Sequence, residues 1–233
     1  MDLNILDGIL WYLAFLFSTT FHEASHSFLS MKLGDLTAYE GGQVTLNPIP
    51  HIRREPFGTV IVPILSYLLG GWMIGWASAP YNYDWAYKYP KKSAAVSAGG
   101  PVANFILLLL SAFIIHLGIN LNVFFAPEVI TISSIVETVD PENFAIVAKF
   151  ISILFSLNLI LFVFNLIPVP PLDGSGMIPL YLNDELGRKY MNFIRNSGIA
   201  FLGIFVAWKL FDLIYFKIHL FAINLLYPGS NYQ

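Results

Sequence analysis

The chain has 233 residues, 56% of them hydrophobic and 12% charged, with a mean hydropathy of +0.65. So few charges exclude an ordinary soluble domain, and a net charge of −3 gives no basis for binding nucleic acid. The absence of cysteine excludes disulfides and thiolate metal sites, leaving histidine and carboxylate as ligands. The start Met1-Asp2-Leu3-Asn4 has neither a basic region nor a small-residue cleavage site, so it does not read as a cleaved signal peptide.

The first helix is expected from Leu3 to Leu33, stopping at Gly34-Asp35. At 1.5 Å per residue it reaches about 46 Å, more than the ~30 Å hydrocarbon core of a bilayer. Within it lies Phe21-His22-Glu23-Ala24-Ser25-His26-Ser27. Ionisable groups at that depth are costly and usually mark a function. Positions i and i+4 share a helix face, so His22 and His26 can grip one metal ion with Glu23 beside them. This is the H-E-x-x-H pattern of zinc hydrolases, in which the glutamate is the general base. The plainer reading, a chance match or a buried polar cluster, is disfavoured by the membrane setting. Acidic residues at one end and Lys32 at the other put the motif nearer the cytoplasmic face.

Leu36 to Pro56 is polar and rich in turn residues. Gly41-Gly42, then Gln43-Val44-Thr45-Leu46, then Asn47-Pro48 predict a short strand or β-hairpin near the motif. His51 follows and reads as a surface or hydrogen-bonding group rather than a ligand. Phe57 to Ala79 is apolar, but Pro63, Gly70-Gly71, Gly75 and Pro80 interrupt it, and aromatic residues gather at its end. Arg53 and Arg54 on one flank and Lys88, Lys91 and Lys92 on the other all look cytoplasmic. The segment is therefore predicted to enter and leave on one side, turning at Gly70-Gly71.

Ala94 to Gly118 is the next span, opening with Gly99-Gly100-Pro101-Val102-Ala103-Asn104. Its small residues allow close helix approach, and Asn104 is open between packing glue and a direct role. His116 sits at its far end, and the loop 119–143 carries four acidic residues and no Lys or Arg, which suits the extracytoplasmic side. Phe144 to Ile167 is the following span. It runs into Pro168-Val169-Pro170-Pro171-Leu172-Asp173-Gly174, where no helix can continue. Alone, Asp173 reads as a turn or cap residue. Paired with the H-E-x-x-H it becomes the third zinc ligand, leaving one position open for water. A last helix starts near Ser197, and Lys209, Asp212, Lys217 and His219 suggest that its continuation to Tyr227 is amphipathic and lies along the interface.

With these motifs in order, the sequence resembles the site-2 protease family of intramembrane zinc metalloproteases, in its compact prokaryotic branch without PDZ or CBS domains. The resemblance rests on His22-Glu23-Ala24-Ser25-His26, Gly99 to Asn104, and Asn165-Leu166-Ile167-Pro168 through Leu172-Asp173-Gly174. It implies one Zn2+ per chain on His22, His26 and Asp173, with Glu23 catalytic. It also implies that Asn165 binds substrate or stabilises the oxyanion, with Asn104 a further candidate for that task. Gln43, Val44, Thr45 and Leu46 would then receive the unwound substrate as an added strand. The expectation is an all-α polytopic membrane protein of about five membrane segments, one of them re-entrant, in a prokaryotic cell membrane. Residues 1–233 read as one domain with a core at 3–174 and C-terminal helices at 190–227. The substrate would be a single-pass membrane protein or membrane peptide within the lipid bilayer. A metal transporter or channel, or an inactive scaffold of the same fold, is the competing expectation.

Overall fold

The computed structural model describes residues 4–195, 197–230 and 232–233. Helix α1 runs Ile5–Leu33. Asn4 caps it by accepting the Leu6 N–H, and Gly34 ends it in the left-handed region at φ 111°. The predicted stop at Gly34 is therefore where the helix stops. Short helices α2 (Thr37–Glu40) and α3 (Pro48–Arg54) follow, and after them a π-helical turn at Phe57–Ile61 leads into α4 (Val62–Gly70).

Gly71 takes φ 74°, which a side chain would resist, and the chain turns back there without helix. On the return, Ile74 N–H donates to Ser66 Oγ at 3.0 Å and Trp76 N–H to the Gly58 carbonyl at 3.1 Å. The outgoing and returning limbs are thus bonded together, and the segment is re-entrant with its reversal at Gly70-Gly71 as predicted. Its tip reaches the start of α1, where Tyr67 Oη donates to the Asn4 carbonyl at 2.7 Å. Its base is held by Asp35. One carboxylate oxygen of Asp35 accepts from Thr37 N–H and hydroxyl at 3.0 and 2.6 Å, and the other accepts from Asn82 N–H at 2.9 Å.

Helices α5 (Tyr83–Lys88) and α6 (Pro90–Ser97) lead into α7 (Gly99–Asn120). A loop carries strands β1 (Phe124–Phe125) and β2 (Glu137–Thr138), paired antiparallel. Helix α8 (Pro141–Asn165) starts with Asp140 as its cap and Pro141 in its first turn. After the proline turn come α9 (Asp173–Met177), a 3-10 turn, α10 (Asp184–Ile194) and α11 (Ser197–Leu226). Among the described residues, four helical stretches are long and apolar enough to cross a membrane: Ile5–Leu33, Pro90–Asn120, Pro141–Asn165 and Gly198–Leu226. With the shorter Phe57–Gly70 this gives the expected all-α polytopic membrane fold.

Apolar clusters hold the bundle, and two of them join the long helices. Leu10, Trp11, Ala14 and Phe15 of α1 pack on Ile153, Leu154 and Leu157 of α8 and on Tyr67 and Met73 of the re-entrant segment. At the other side Ile115, Phe124, Ile135, Ile151, Phe155 and Ile223 close α7, α8 and α11 around the β1–β2 loop.

Two expectations need correction. Gln43 to Leu46 forms no strand; the sheet lies instead in the loop between α7 and α8. The physical reason is that other bonds occupy the groups a ladder would use. Gln43 N–H donates to the Ala38 carbonyl at 2.8 Å and His51 Nε2 to the Thr45 carbonyl at 3.0 Å, while the Gln43 side chain reaches the Pro50 carbonyl and Asn47 caps α3. Helix α11 does not lie along an interface either. It is continuous and runs the length of α8, ending with Tyr227 Oη donating to the Ile135 carbonyl at 2.7 Å. Lys209, Asp212 and Lys217 face outward, while Gly203, Ala207, Phe211 and Ile218 take the packed face.

Candidate active site

His22, Glu23 and His26 are all buried on α1. One helical turn separates the histidines, and their Nε2 atoms lie 3.1 Å apart. Asp173 reaches them because the proline turn ends α8 and starts α9 at that residue. Its Oδ2 stands 3.1 Å from His22 Nε2 and 3.3 Å from His26 Nε2. A tetrahedral ion with bonds of about 2.0 Å holds its ligand atoms about 3.3 Å apart. The triangle has that size.

The far side of each imidazole explains why three lone pairs converge. His26 Nδ1 donates to the Val96 carbonyl at 2.8 Å, at the break between α6 and α7. His22 Nδ1 donates to Asn104 Oδ1 at 2.6 Å. A neutral ring with its proton on Nδ1 presents a bare Nε2, so both nitrogens face the Asp173 carboxylate as acceptors. Asp173 Oδ2 is buried without a hydrogen-bond donor. A cation between these atoms satisfies all three, and the group as a whole suits a metal ion. Gly100 leaves room for the two rings: a Cβ there would land on Nε2 of both His22 and His26.

Behind His22 the polar contacts continue. Asn104 Nδ2 donates to Asn158 Oδ1 at 2.8 Å, and Asn158 Nδ2 donates to Ser18 Oγ at 2.9 Å and to the Leu154 carbonyl at 2.8 Å. All these residues are buried. Asn104 therefore backs a histidine rather than facing a cavity. Asn158 and Ser18 were not anticipated as site residues, although an asparagine inside the apolar run of α8 is a signal of the same kind as Asn104.

Glu23 lines a cavity of about 420 Å³ together with His26, Asp173, Ala77 to Tyr81 and Pro170 to Leu172. Among the described residues, no hydrogen bond or ion pair holds its carboxylate. Ser27, Ser30, Asp35, Tyr83 and Arg195 carry the cavity away from the triangle toward the base of the re-entrant segment. A second, apolar groove of about 530 Å³ runs along the opposite face of α1, walled by Ala24, Phe28, Val102 and Val44 to Leu46. Val44, Thr45 and Leu46 thus line a groove, while Gln43 is buried as a loop brace. Asn165 is half-buried in the last turn of α8 and lines neither space. His51 is buried on α3, His116 is exposed at the far end of α7, and His219 stacks on Tyr215 at 5.6 Å. None of these three joins the triangle.

The sequence model of peptidase family M50 matches residues 10–208. The chain belongs to the M50 peptidases, the site-2 protease family. It is a zinc metalloprotease of the membrane, and the His22, His26 and Asp173 group is suited to the family's metal. A Bacillus subtilis relative named "Putative zinc metalloprotease YwhC" is 33% identical over 190 residues, covering 81% of this chain and 76% of the relative. "Putative zinc metalloprotease Rip2" of Mycolicibacterium smegmatis is 29% identical, over 77% of this chain and 60% of its own length. The protein of that name in Mycobacterium tuberculosis strain H37Rv is 26% identical, over 90% and 73%. No solved structure matches.

Proposed function

We propose that this M50 zinc metalloprotease hydrolyses a peptide bond in or near a transmembrane segment of a membrane-protein substrate, with Glu23 as general base. The observation that carries the reading is depth: His22, Glu23 and His26 are buried on a helix able to span the bilayer, beside a cavity lined by hydroxyls and carboxylates. Enclosing the reaction among helices only serves a substrate that is itself in the membrane.

In this reading His22, His26 and Asp173 hold the ion. Zinc, when bound, supplies Lewis acidity to the attacking water and to the scissile carbonyl. Glu23, whose carboxylate no hydrogen bond or ion pair holds among the described residues, takes the proton from that water as it attacks. It then returns the proton to the departing amine, so one carboxylate serves as base and then as acid. A donor is also needed for the developing oxyanion. Asn165 is the proposed donor, and substrate binding would have to swing its half-buried amide toward the cavity. The substrate helix must unwind before its carbonyls can react, and Val44 to Leu46, walling the apolar groove beside α1, are the proposed place where it first rests.

The same reading sets the orientation. Arg53, Arg54, Lys88, Lys91, Lys92, Arg188, Lys189 and Arg195 flank the end of the bundle toward which the cavity leads, while Glu128, Glu137, Asp140 and Glu142 belong to the other. The positive end is cytoplasmic by the usual bias, here in a prokaryotic cell membrane. The test is cleavage of tagged single-pass substrates in liposomes, with and without chelator, by wild type and Glu23→Gln. Chelator-sensitive cleavage that disappears in Glu23→Gln, with zinc still bound, is expected. Full activity of that variant would overturn the mechanism.

A further inference from the structure

We infer that Asn158, acting through Asn104, is a positioning residue that fixes the His22 imidazole with its proton on Nδ1 and its lone pair on Nε2 toward the metal triangle. The inference rests on the reading of His22 as a zinc ligand.

The argument starts at a group that cannot change its role. The Leu154 carbonyl only accepts, so the Asn158 group 2.8 Å from it must be the NH2. The second proton of that NH2 goes to Ser18 Oγ at 2.9 Å. With its NH2 committed on two sides, Asn158 can offer only Oδ1 to its neighbour. That oxygen lies 2.8 Å from Asn104, which must therefore present its own NH2. The Ser18 carbonyl, 3.5 Å from the same Asn104 nitrogen, reinforces the choice. Asn104 is then left with Oδ1 toward His22, at 2.6 Å. An oxygen there requires a proton on Nδ1, and a neutral ring with that proton has its lone pair on Nε2.

A helix carbonyl in α8 thus dictates the tautomer of a ligand on α1 by way of α7. His26 reaches the same state more directly, through the Val96 carbonyl at 2.8 Å. Both rings are therefore locked by an ordinary backbone acceptor, one at first hand and the other through two side-chain amides. Reversing any amide in the chain sets NH2 against NH2 or oxygen against oxygen in a buried place, where each unmet group is costly. Simple packing glue would need neither the consistent direction nor the short bond to His22.

Two variants separate orientation from bulk. Asn158→Leu keeps the volume but removes both the acceptor for Asn104 and the donors to α8, freeing Asn104 to flip. Asn158→Asp, neutral when buried there, keeps an acceptor toward Asn104 and an O–H toward Leu154 or Ser18. The protein is labelled with 15N-histidine, and long-range proton–nitrogen spectra of the zinc-free form at alkaline pH report which ring nitrogen carries the proton. His22 signals are assigned by their loss in His22→Gln. Zinc affinity is measured in parallel by competition with a chromophoric chelator. Wild type should show His22 protonated on Nδ1. Asn158→Leu should show a tautomer mixture and bind zinc about 10-fold to 100-fold more weakly, the usual scale for partners behind a metal-bound histidine. Asn158→Asp should keep the wild-type tautomer and stay close to wild-type affinity. A wild-type His22 with its proton on Nε2 overturns the inference without any variant, as does an Asn158→Leu protein with unchanged tautomer and affinity. If Asn158→Leu does not fold, loss of the Nδ1–H form in Asn158→Asp has the same force. Should His22→Gln itself hold zinc as tightly as wild type, the assignment of His22 as ligand fails, and that result is distinct from either of these.

Discussion

The most exposed prediction concerns Gly100. A methyl group on this residue would land on the edges of both ligand rings, at His22 Nε2 and His26 Nε2, so one side must move. Two relaxations are open to the protein. Helix α7 can retreat from α1, but Gly99 packs against Leu29 and the Ser25 backbone in the same turn, and α1–α7–α8 share a buried polar network. The rings can instead swing aside, which breaks the bonds at 2.6 Å to Asn104 and 2.8 Å to Val96. Losing both and stranding their buried acceptors costs roughly 2–6 kcal/mol at 1–3 kcal/mol each. At 1.36 kcal/mol per decade, Gly100→Ala should weaken zinc by roughly 30-fold to 25,000-fold. Metal content after dialysis against graded chelator gives the number. Gly99→Ala is the matched control, because the nearest atom to its new methyl is Leu29 Cδ1, the end of a flexible chain, at 2.8 Å. It should keep its zinc to within about tenfold. Stoichiometric zinc in Gly100→Ala at wild-type affinity would show that the ion is not held in the His22, His26 and Asp173 triangle.

Asp173→Ala should release zinc, whereas His51→Ala should retain it and lose only loop stability, since His51 binds the Thr45 carbonyl and nothing in the triangle; metal analysis of the purified variants decides. Asp35 is buried at the base of the re-entrant segment, and although burial raises its carboxyl, bonds from Thr37, Asn82 and Ser30 hold it below the usual carboxylate range. A depressed folded value gives stability that is complete above the unfolded value of about 3.9 and fades as pH falls through the folded one. Asp35→Asn should therefore cost about 1–3 kcal/mol at neutral pH, and its deficit in melting temperature against wild type should shrink in acid below about pH 4. Single cysteines replacing Arg54 and Lys91 should respond alike to an impermeant thiol reagent applied to intact cells, because the segment between them leaves on the side it entered. Labelling of one and not the other would contradict the re-entrant path.

How much of this was legible in the sequence varied with the range of the interaction. His22 and His26 were readable as a pair because a helix places i and i+4 on one face whatever surrounds it. The turn at Gly70-Gly71 was readable from charge on both flanks, since Arg54 and Lys91 had to share a side. Asp173 needed one more inference, that a proline run ends a helix beside the motif. Asn104 could be flagged but not assigned, for its role depends on Asn158, which lies far along the chain. The failure at Gln43 to Leu46 is of the same kind. Period and turn residues favour a strand there, but the Ala38 carbonyl claims the Gln43 N–H and the His51 side chain claims the Thr45 carbonyl, each from several residues away. Helix α11 was misjudged because its three charges were weighed without knowing which face would meet α8.

The ion pair between Asp7 and Lys149, at 2.7 Å, sits at the end of the bundle away from the metal triangle. Both side chains are about one-third exposed, so the bond itself contributes at most about 1 kcal/mol. Its consequence lies in biogenesis. Between Ser93 and Gly187 the chain has no Lys or Arg except Lys149, so this residue alone argues for the opposite orientation while α8 is being threaded. Its counterion, Asp7, comes from α1, and pairing cancels the one positive charge of α8 at that end of the bundle.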